Sequence, residues 1–325
     1  MAHAFPAPLF LKLPPARGSV RLAIYEQGPS DGIPVLLLHG FPELAYSWRL
    51  QLPALAAAGY RAIAIEQRGY GESDKPTAVT DYDIIQLTGD VCAVLDALHI
   101  ERAVIVGHDW GAIVTWYMAQ LHPERMLGLA ALSVPYQERG PSEPVGFWES
   151  RLGPDFYIVH FNRQPGVADE AFARNPGNLL RNLYRRNQWH APAAARSPKP
   201  GMAMINLVDA TDQPGELIMS ETELQVFVAA FTRGGFTGPI NWYRNFTRNY
   251  DLLAHCDPYV RMPALMIHGE FDMVPPNPRI TEFVHDLEQH TLPCGHWIQQ
   301  EEPSATNNLL IAWLNSRVNR RFAHA

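Results

Sequence analysis

The stretch Val104–Val114, VIVGHDWGAIV, decides the reading of this chain. A short apolar run, reaching back to Ala103, ends in Gly107-His108-Asp109-Trp110-Gly111, and helical periodicity follows from Ala112 to Leu121. A buried strand that turns sharply into a helix through small residues is a nucleophile elbow, G-x-Nuc-x-G, and it lifts one side chain above the end of a sheet. The two glycines leave the backbone room for that turn. The helix aims its N-terminal N–H groups at the lifted side chain, a field that favours negative charge. The usual occupant is serine; here it is Asp109. Alone, an aspartate at this place also reads as a helix N-cap.

On either side of the elbow the pattern alternates between strand and helix. Ser19–Gln27 has period-two alternation, and Ile33–Leu38, Arg61–Ile65 and Met126–Val134 are short apolar runs suited to buried strands. Asp83–Leu98 carries Ile84, Leu87, Val91, Val94, Leu95 and Leu98 at helical spacing. This rhythm predicts an α/β fold with a mainly parallel central sheet flanked by helices. After Pro135 the chain becomes rich in Arg, Asn, Pro and aromatics, with helix-like pieces such as Asn178–Arg186 and Glu221–Phe231. The α/β rhythm resumes with a strand at Ala264–His268, a helix at Pro278–Leu287, a strand at Gln289–Leu292 and a final helix at Pro303–Arg317. The expected organisation is a core formed by residues 1–136 and 251–325, with a mainly helical cap inserted at 137–250. Within that cap Ala191–Gly201, APAAARSPKPG, reads as a mobile loop.

Two later segments bear on Asp109. Asp272 lies in HGEFDMVPP, beyond the strand at Ala264–His268, and His296 lies in CGHW, beyond the next strand. Nucleophile, acid and histidine in this order is the chain order of the α/β-hydrolase triad, and ligands of such sheets bind beyond the carboxyl ends of the strands. Singly, Asp272 also reads as a turn residue and His296 as a packed histidine. HGFPE (His39–Glu43) follows the strand that ends at Leu38. In this architecture the backbone N–H groups of Phe41 and Trp110 form an oxyanion hole. His39 and His108 read as structural.

A carboxylate nucleophile selects the chemistry. Attack on a carbonyl would give a reactive anhydride, whereas displacement at saturated carbon gives an alkyl ester of the enzyme. Water activated by His296, with Asp272 orienting the imidazole, can then attack the ester carbonyl. A halide leaves as an anion and needs N–H donors; an epoxide oxygen leaves as a basic alkoxide and needs a proton donor, which tyrosine, with an ordinary pKa of roughly 10, can supply.

Composition narrows the partners. The chain has 325 residues, 47% of them hydrophobic, with a formal charge of −7 and no basic block of the kind that binds nucleic acid or an anionic membrane. Cys92, Cys256 and Cys294 have neither disulfide-framework nor zinc spacing, which suggests a reducing compartment, the cytoplasm. Neither a signal peptide nor a run of the ~20 apolar residues needed to span a membrane is read. No cofactor or metal is called for, and monomer and homodimer both remain open.

The motifs HGFPE, RGYGESDKP (Arg68–Pro76), GHDWGA (Gly107–Ala112), NWYRN (Asn241–Asn245), CGHW and FYIVHFNRQPGVAD (Phe156–Asp169) make the chain resemble the soluble-type epoxide hydrolases of the α/β-hydrolase superfamily, from about residue 19 to about residue 315. The resemblance implies conversion of a small-molecule epoxide and water to a vicinal diol. Asp109 would be the nucleophile, His296 with Asp272 the base and its partner, and Tyr243 and Tyr157 the ring-opening tyrosines. Phe41, Trp110 and Trp297 would line the pocket. The chain departs from the pattern by one extra residue between Phe161 and Pro165, and by Glu66 where aspartate is more usual, a position read as structural. The rivals are a haloalkane dehalogenase, a fluoroacetate-type dehalogenase and a non-catalytic ligand-binding protein on the same fold. The first typically has Asn in place of Phe41 and the second an Arg just after the Asp; a serine esterase lacks its serine.

Overall fold

In the computed structural model, which describes residues 5–13, 19–186, 203–211 and 213–319, the strands are β1 (Leu9–Lys12), β2 (Arg21–Gln27), β3 (Pro34–Leu38), β4 (Arg61–Glu66), β5 (Ala103–His108), β6 (Met126–Leu132), β7 (Ala264–Gly269) and β8 (Leu287–Leu292). The stretch Ala191–Gly201, expected as a loop, lies outside the described residues. The strands form one sheet in the order β1-β2-β4-β3-β5-β6-β7-β8. β1 and β2 pair antiparallel with each other, as do β2 and β4, and every other pairing is parallel.

The core helices are α1 (Leu52–Ala57), α2 (Ile84–Ala97) and α3 (Trp110–Leu121), and, beyond β7, α11 (Ile280–Phe283), α12 (Ile298–Glu301) and α13 (Pro303–Trp313). Between β6 and β7 the chain forms α4 (Pro144–Leu152), α5 (Tyr157–Arg163), α6 (Val167–Arg174), α7 (Pro176–Leu183), α8 (Glu221–Gly234), α9 (Thr237–Arg244) and α10 (Phe246–Leu252). No helix among the described residues is long and apolar enough to cross a membrane.

The central strands are apolar throughout because both sheet faces are covered. Alternation along them sorts the core into two layers. Leu36, Leu38, Ile63, Ile65 and Ile105 join Val91 and Leu95 of α2 and Val114 and Met118 of α3. Val35, Leu37, Ala62, Val104 and Val106 join Leu52 and Leu55 of α1 and Leu310 and Trp313 of α13. The parallel registers align the carboxyl ends: Leu38 lies opposite Gly107, and His108 opposite Leu132. Every loop that carries an expected core site residue leaves from this end.

Some element boundaries differ from the sequence reading. The helix expected at Pro278–Leu287 is only α11, because Val284 is extended, with φ −112° and ψ 97°, and bridges to Val260. The strand expected to reach Val134 stops at Leu132, because Ser133 takes a positive φ of 72°. The final helix ends at Trp313 and passes into a π-helical turn at Leu314–Asn319. β1, mostly exposed at the sheet edge, was not foreseen.

Candidate active site

Asp109 sits between β5 and α3 with φ 52° and ψ −116°, a conformation that costs a non-glycine residue about 1–3 kcal/mol. Close packing imposes it. A Cβ on Gly111 would lie 1.9 Å from the Leu38 carbonyl oxygen, one on Gly107 2.1 Å from that of Gly111, and one on Gly40 2.4 Å from the Asp109 Cβ. The Phe41 N–H donates to Asp109 Oδ1 at 2.8 Å. Trp110 opens α3, so its N–H has no intrahelical acceptor.

The other carboxylate oxygen, Asp109 Oδ2, is 3.6 Å from His296 Nε2. On the far side of the imidazole, His296 Nδ1 is 2.9 Å from Asp272 Oδ1. The Val274 N–H donates to the same Oδ1 at 3.0 Å, and Ser133 Oγ donates to Asp272 Oδ2 at 2.6 Å. Burial favours the neutral Asp272 carboxyl, but His296 and the Ser133 hydroxyl outweigh it and hold Asp272 below its ordinary value. Burial also favours neutral His296, yet Asp272 and Asp109 on its two sides hold the imidazole well above the ordinary value.

Buried polar side chains behind the triad hold the loops that carry it. Glu43 is fully buried; it accepts from the Gly40 N–H at 2.9 Å and from Gln299 and Gln300 at 2.9 and 3.0 Å. Burial pushes its carboxyl up, but His108 and the Gly40 N–H prevail and hold it at about 2. His108 links Glu43 Oε2, at 2.7 Å, to the backbone carbonyl of His296, at 2.8 Å. His39 is tied by Nδ1 to the Gly40 carbonyl at 2.9 Å, while its Nε2 accepts from the Gln67 N–H at 3.2 Å. Glu66 accepts from the Ala45 N–H at 3.0 Å and lies 3.5 Å from His39 Nε2.

Tyr157 opens α5 and Tyr243 lies in the last turn of α9, with ring centroids 5.6 Å apart. Burial, then the charge of Asp109, raises both phenols well above the ordinary tyrosine value. Tyr243 also packs edge-on against Phe41 at 5.2 Å and Trp110 at 5.1 Å. The helices are clamped together. Asn162 of α5 donates to the Tyr243 carbonyl at 3.1 Å, and Arg244 donates to the Phe161 carbonyl at 3.1 Å and to Asp169 of α6 at 2.5 Å. Trp297 sits edge-on to His296 at 4.9 Å, and its indole N–H donates to the Leu183 carbonyl at 3.0 Å.

The structure thus brings Asp109, His296 and Asp272 together, places the Phe41 N–H on the carboxylate, and packs Tyr157 and Tyr243 beside Phe41 and Trp110. Sequence reasoning missed Ser133, the buried linkage from Glu43 through His108 to His296, and the Arg244 clamp. HGFPE already contained Glu43, whereas Ser133 lies inside the run read as a strand to Val134 and carried no signal of its own. Among the described residues no group of three or more His, Cys, Asp or Glu is arranged to hold a metal ion.

The α/β hydrolase fold family matches residues 33–303. The chain is 40% identical over 305 residues to epoxide hydrolase A of Mycobacterium tuberculosis, covering 91% of this chain and 94% of that protein. Among solved structures, epoxide hydrolase A of Mycobacterium thermoresistibile superposes with a TM-score of 0.85 at 38% identity, covering 96% of this chain and 98% of that one. An epoxide hydrolase of Vigna radiata superposes with a TM-score of 0.83 at 30% identity, covering 95% and 97%. With such identity over nearly the full length of both chains, this protein belongs to the epoxide hydrolases of the α/β-hydrolase fold family.

Proposed function

We propose that the protein adds water to a small-molecule epoxide, giving a vicinal diol through a covalent ester on Asp109. The observation that carries this reading is the division of labour at Asp109: Oδ1 is held by the Phe41 N–H at 2.8 Å, while Oδ2 faces His296. Oδ2 attacks a ring carbon, an Oδ2–C bond forms, and the ring C–O bond breaks. A phenol proton of Tyr243 or Tyr157 passes to the departing oxygen. Both phenols remain protonated until that moment because burial and the Asp109 charge disfavour phenolate.

The ester has no negative charge, so alkylation removes one of the two carboxylates that hold the His296 proton. The imidazole then gives up a proton, which restores the phenol spent in ring opening, and acts as base. It takes a proton from water as the water oxygen attacks Asp109 Cγ, and the negative charge develops on Oδ1 beside the Phe41 N–H. Collapse breaks the bond between Cγ and Oδ2, which departs as the second diol oxygen and takes the proton held by His296; the water oxygen stays in Asp109, whose remaining carboxyl proton returns to the imidazole. In this reading residues 137–250 are a cap that presents the tyrosines, and 1–136 with 251–325 form the core. Phe41, Trp110 and Trp297 belong to the pocket, and the protein works in the cytoplasm.

A haloalkane dehalogenase has less support, because Phe41 stands where a second halide donor is required and the two tyrosines would have no use. The test is a single turnover of styrene oxide by excess enzyme in heavy-oxygen water, with mass analysis of the diol and of the peptide bearing Asp109. Label in Asp109 and none in the diol is expected. Label in the diol alone means direct attack by water and overturns the role of Asp109.

A further inference from the structure

Ser133 carries a hydroxyl that the steps above do not use. It is 1% exposed and has a positive φ of 72°, a region unfavourable to a non-glycine residue. Its N–H donates to the Ile267 carbonyl of β7 at 3.0 Å, which ties this turn to the strand leading to Asp272. The resulting direction of the side chain puts Oγ 2.6 Å from Asp272 Oδ2 and 2.9 Å from His296 Nδ1. A hydroxyl has one proton to donate, and a neighbouring carboxylate at 2.6 Å takes it. Ser133 Oγ therefore turns a lone pair to Nδ1, which already faces Asp272 Oδ1. Nδ1 meets two acceptors and keeps its proton.

We propose that Ser133 is a positioning residue which, together with Asp272, fixes the proton of His296 on Nδ1, so that Nε2 is the nitrogen released to act as base in ester hydrolysis. The inference rests on the reading of His296 as that base. It assigns Ser133 to the second half-reaction and gives it no part in ring opening, which Asp109 and the tyrosines carry out.

Ser133→Gly removes the hydroxyl and accepts the positive φ without strain; Ser133→Ala is the second variant. Formation and decay of the Asp109 adduct from styrene oxide are followed by rapid quench and mass analysis across pH. Adduct formation should stay within about two-fold of the wild type while decay slows about ten-fold, the worth of one hydrogen bond to a charged group. The pH midpoint of decay should also rise. The Nδ1 proton loses the Ser133 lone pair but keeps Asp272 Oδ1 as its acceptor, so the charge on Asp272 sets the sign: without the Ser133 proton more negative charge remains there, and His296 holds its proton to higher pH. The other groups around the imidazole are unchanged by the substitution: Asp109 from the elbow, His108 with Glu43 behind it from the sheet end, Tyr157 and Tyr243, and Glu301, which accepts from the Trp297 N–H at 3.1 Å.

Unchanged decay, equal slowing of both steps, or slower decay with an unmoved midpoint would each overturn the proposal. Wild-type enzyme that forms neither adduct nor diol would instead defeat the epoxide hydrolase reading itself.

Discussion

In the proposed mechanism Asp109 and His296 act in different half-reactions, so their substitutions should fail differently. Asp109→Ala removes the nucleophile and should reduce diol formation to background, with no adduct at any time. His296→Gln keeps the nucleophile and the Phe41 N–H but removes the base. One equivalent of epoxide should open, and the ester should then persist, its decay slowed roughly 10²–10⁴-fold. Intact-mass measurement after mixing with styrene oxide separates the two. A folded His296→Gln protein that gains no mass would contradict the ester route. The motif made both residues legible, because each lies just past a recognisable strand. Ser133 was not legible in the same way: a serine ending a strand has no signature until the fold sets it against Asp272.

Among the elements, α5 and α9 must hold two phenols at a fixed separation. Arg244 joins them by donating to the Phe161 carbonyl and to Asp169, and the Arg244 and Asp169 side chains are only 10% and 9% exposed. Arg244→Met should leave the Asp169 charge buried and unpaired, at a cost of about 3–5 kcal/mol. Denaturant unfolding would measure that loss. Under conditions where the variant stays folded, adduct formation should slow more than adduct decay, because the proposed mechanism uses the tyrosines in ring opening alone. Equal slowing of both steps would show that the clamp serves stability and not tyrosine placement. The helical character of α7 and α8 was readable from their spacing. The lengths of α11 and the last helix were not, because a bridge from Val284 to Val260 and the π-helical turn after Trp313 are settled by packing.

Over the whole molecule, buried titratable groups tie stability to pH. Burial raises the Glu66 carboxyl from 4.5 to about 7, against the Ala45 N–H and Lys75, which lower it. A group that holds its proton more tightly when folded adds stability that is complete below its unfolded value and is lost as pH rises through the folded value. Stability from Glu66 should therefore fall between pH 4.5 and about 7. Glu66→Gln, which stays neutral, should remove that fall. The variant should gain on the wild type as pH is raised from about 5 to about 8, measured by urea unfolding. A constant difference between the two proteins would show that Glu66 is already ionised when folded.

The sequence by itself determined the sheet-and-helix rhythm, the elbow, and the order of nucleophile, acid and histidine. Those features are local: a run of apolar residues, a pair of glycines, a residue just past a strand. The family motifs likewise marked Tyr243 and Tyr157. Only the tertiary structure decided which oxygen of Asp109 meets Phe41 and which meets His296. It also decided that Ser133 completes the surroundings of Asp272, and that Glu43, through His108, supports the His296 backbone. These pairings join residues far apart in the chain, and no local pattern encodes them. They exist because parallel register brings the ends of β3, β5, β6 and β7 to one level, where buried polar groups must find partners or lose the fold.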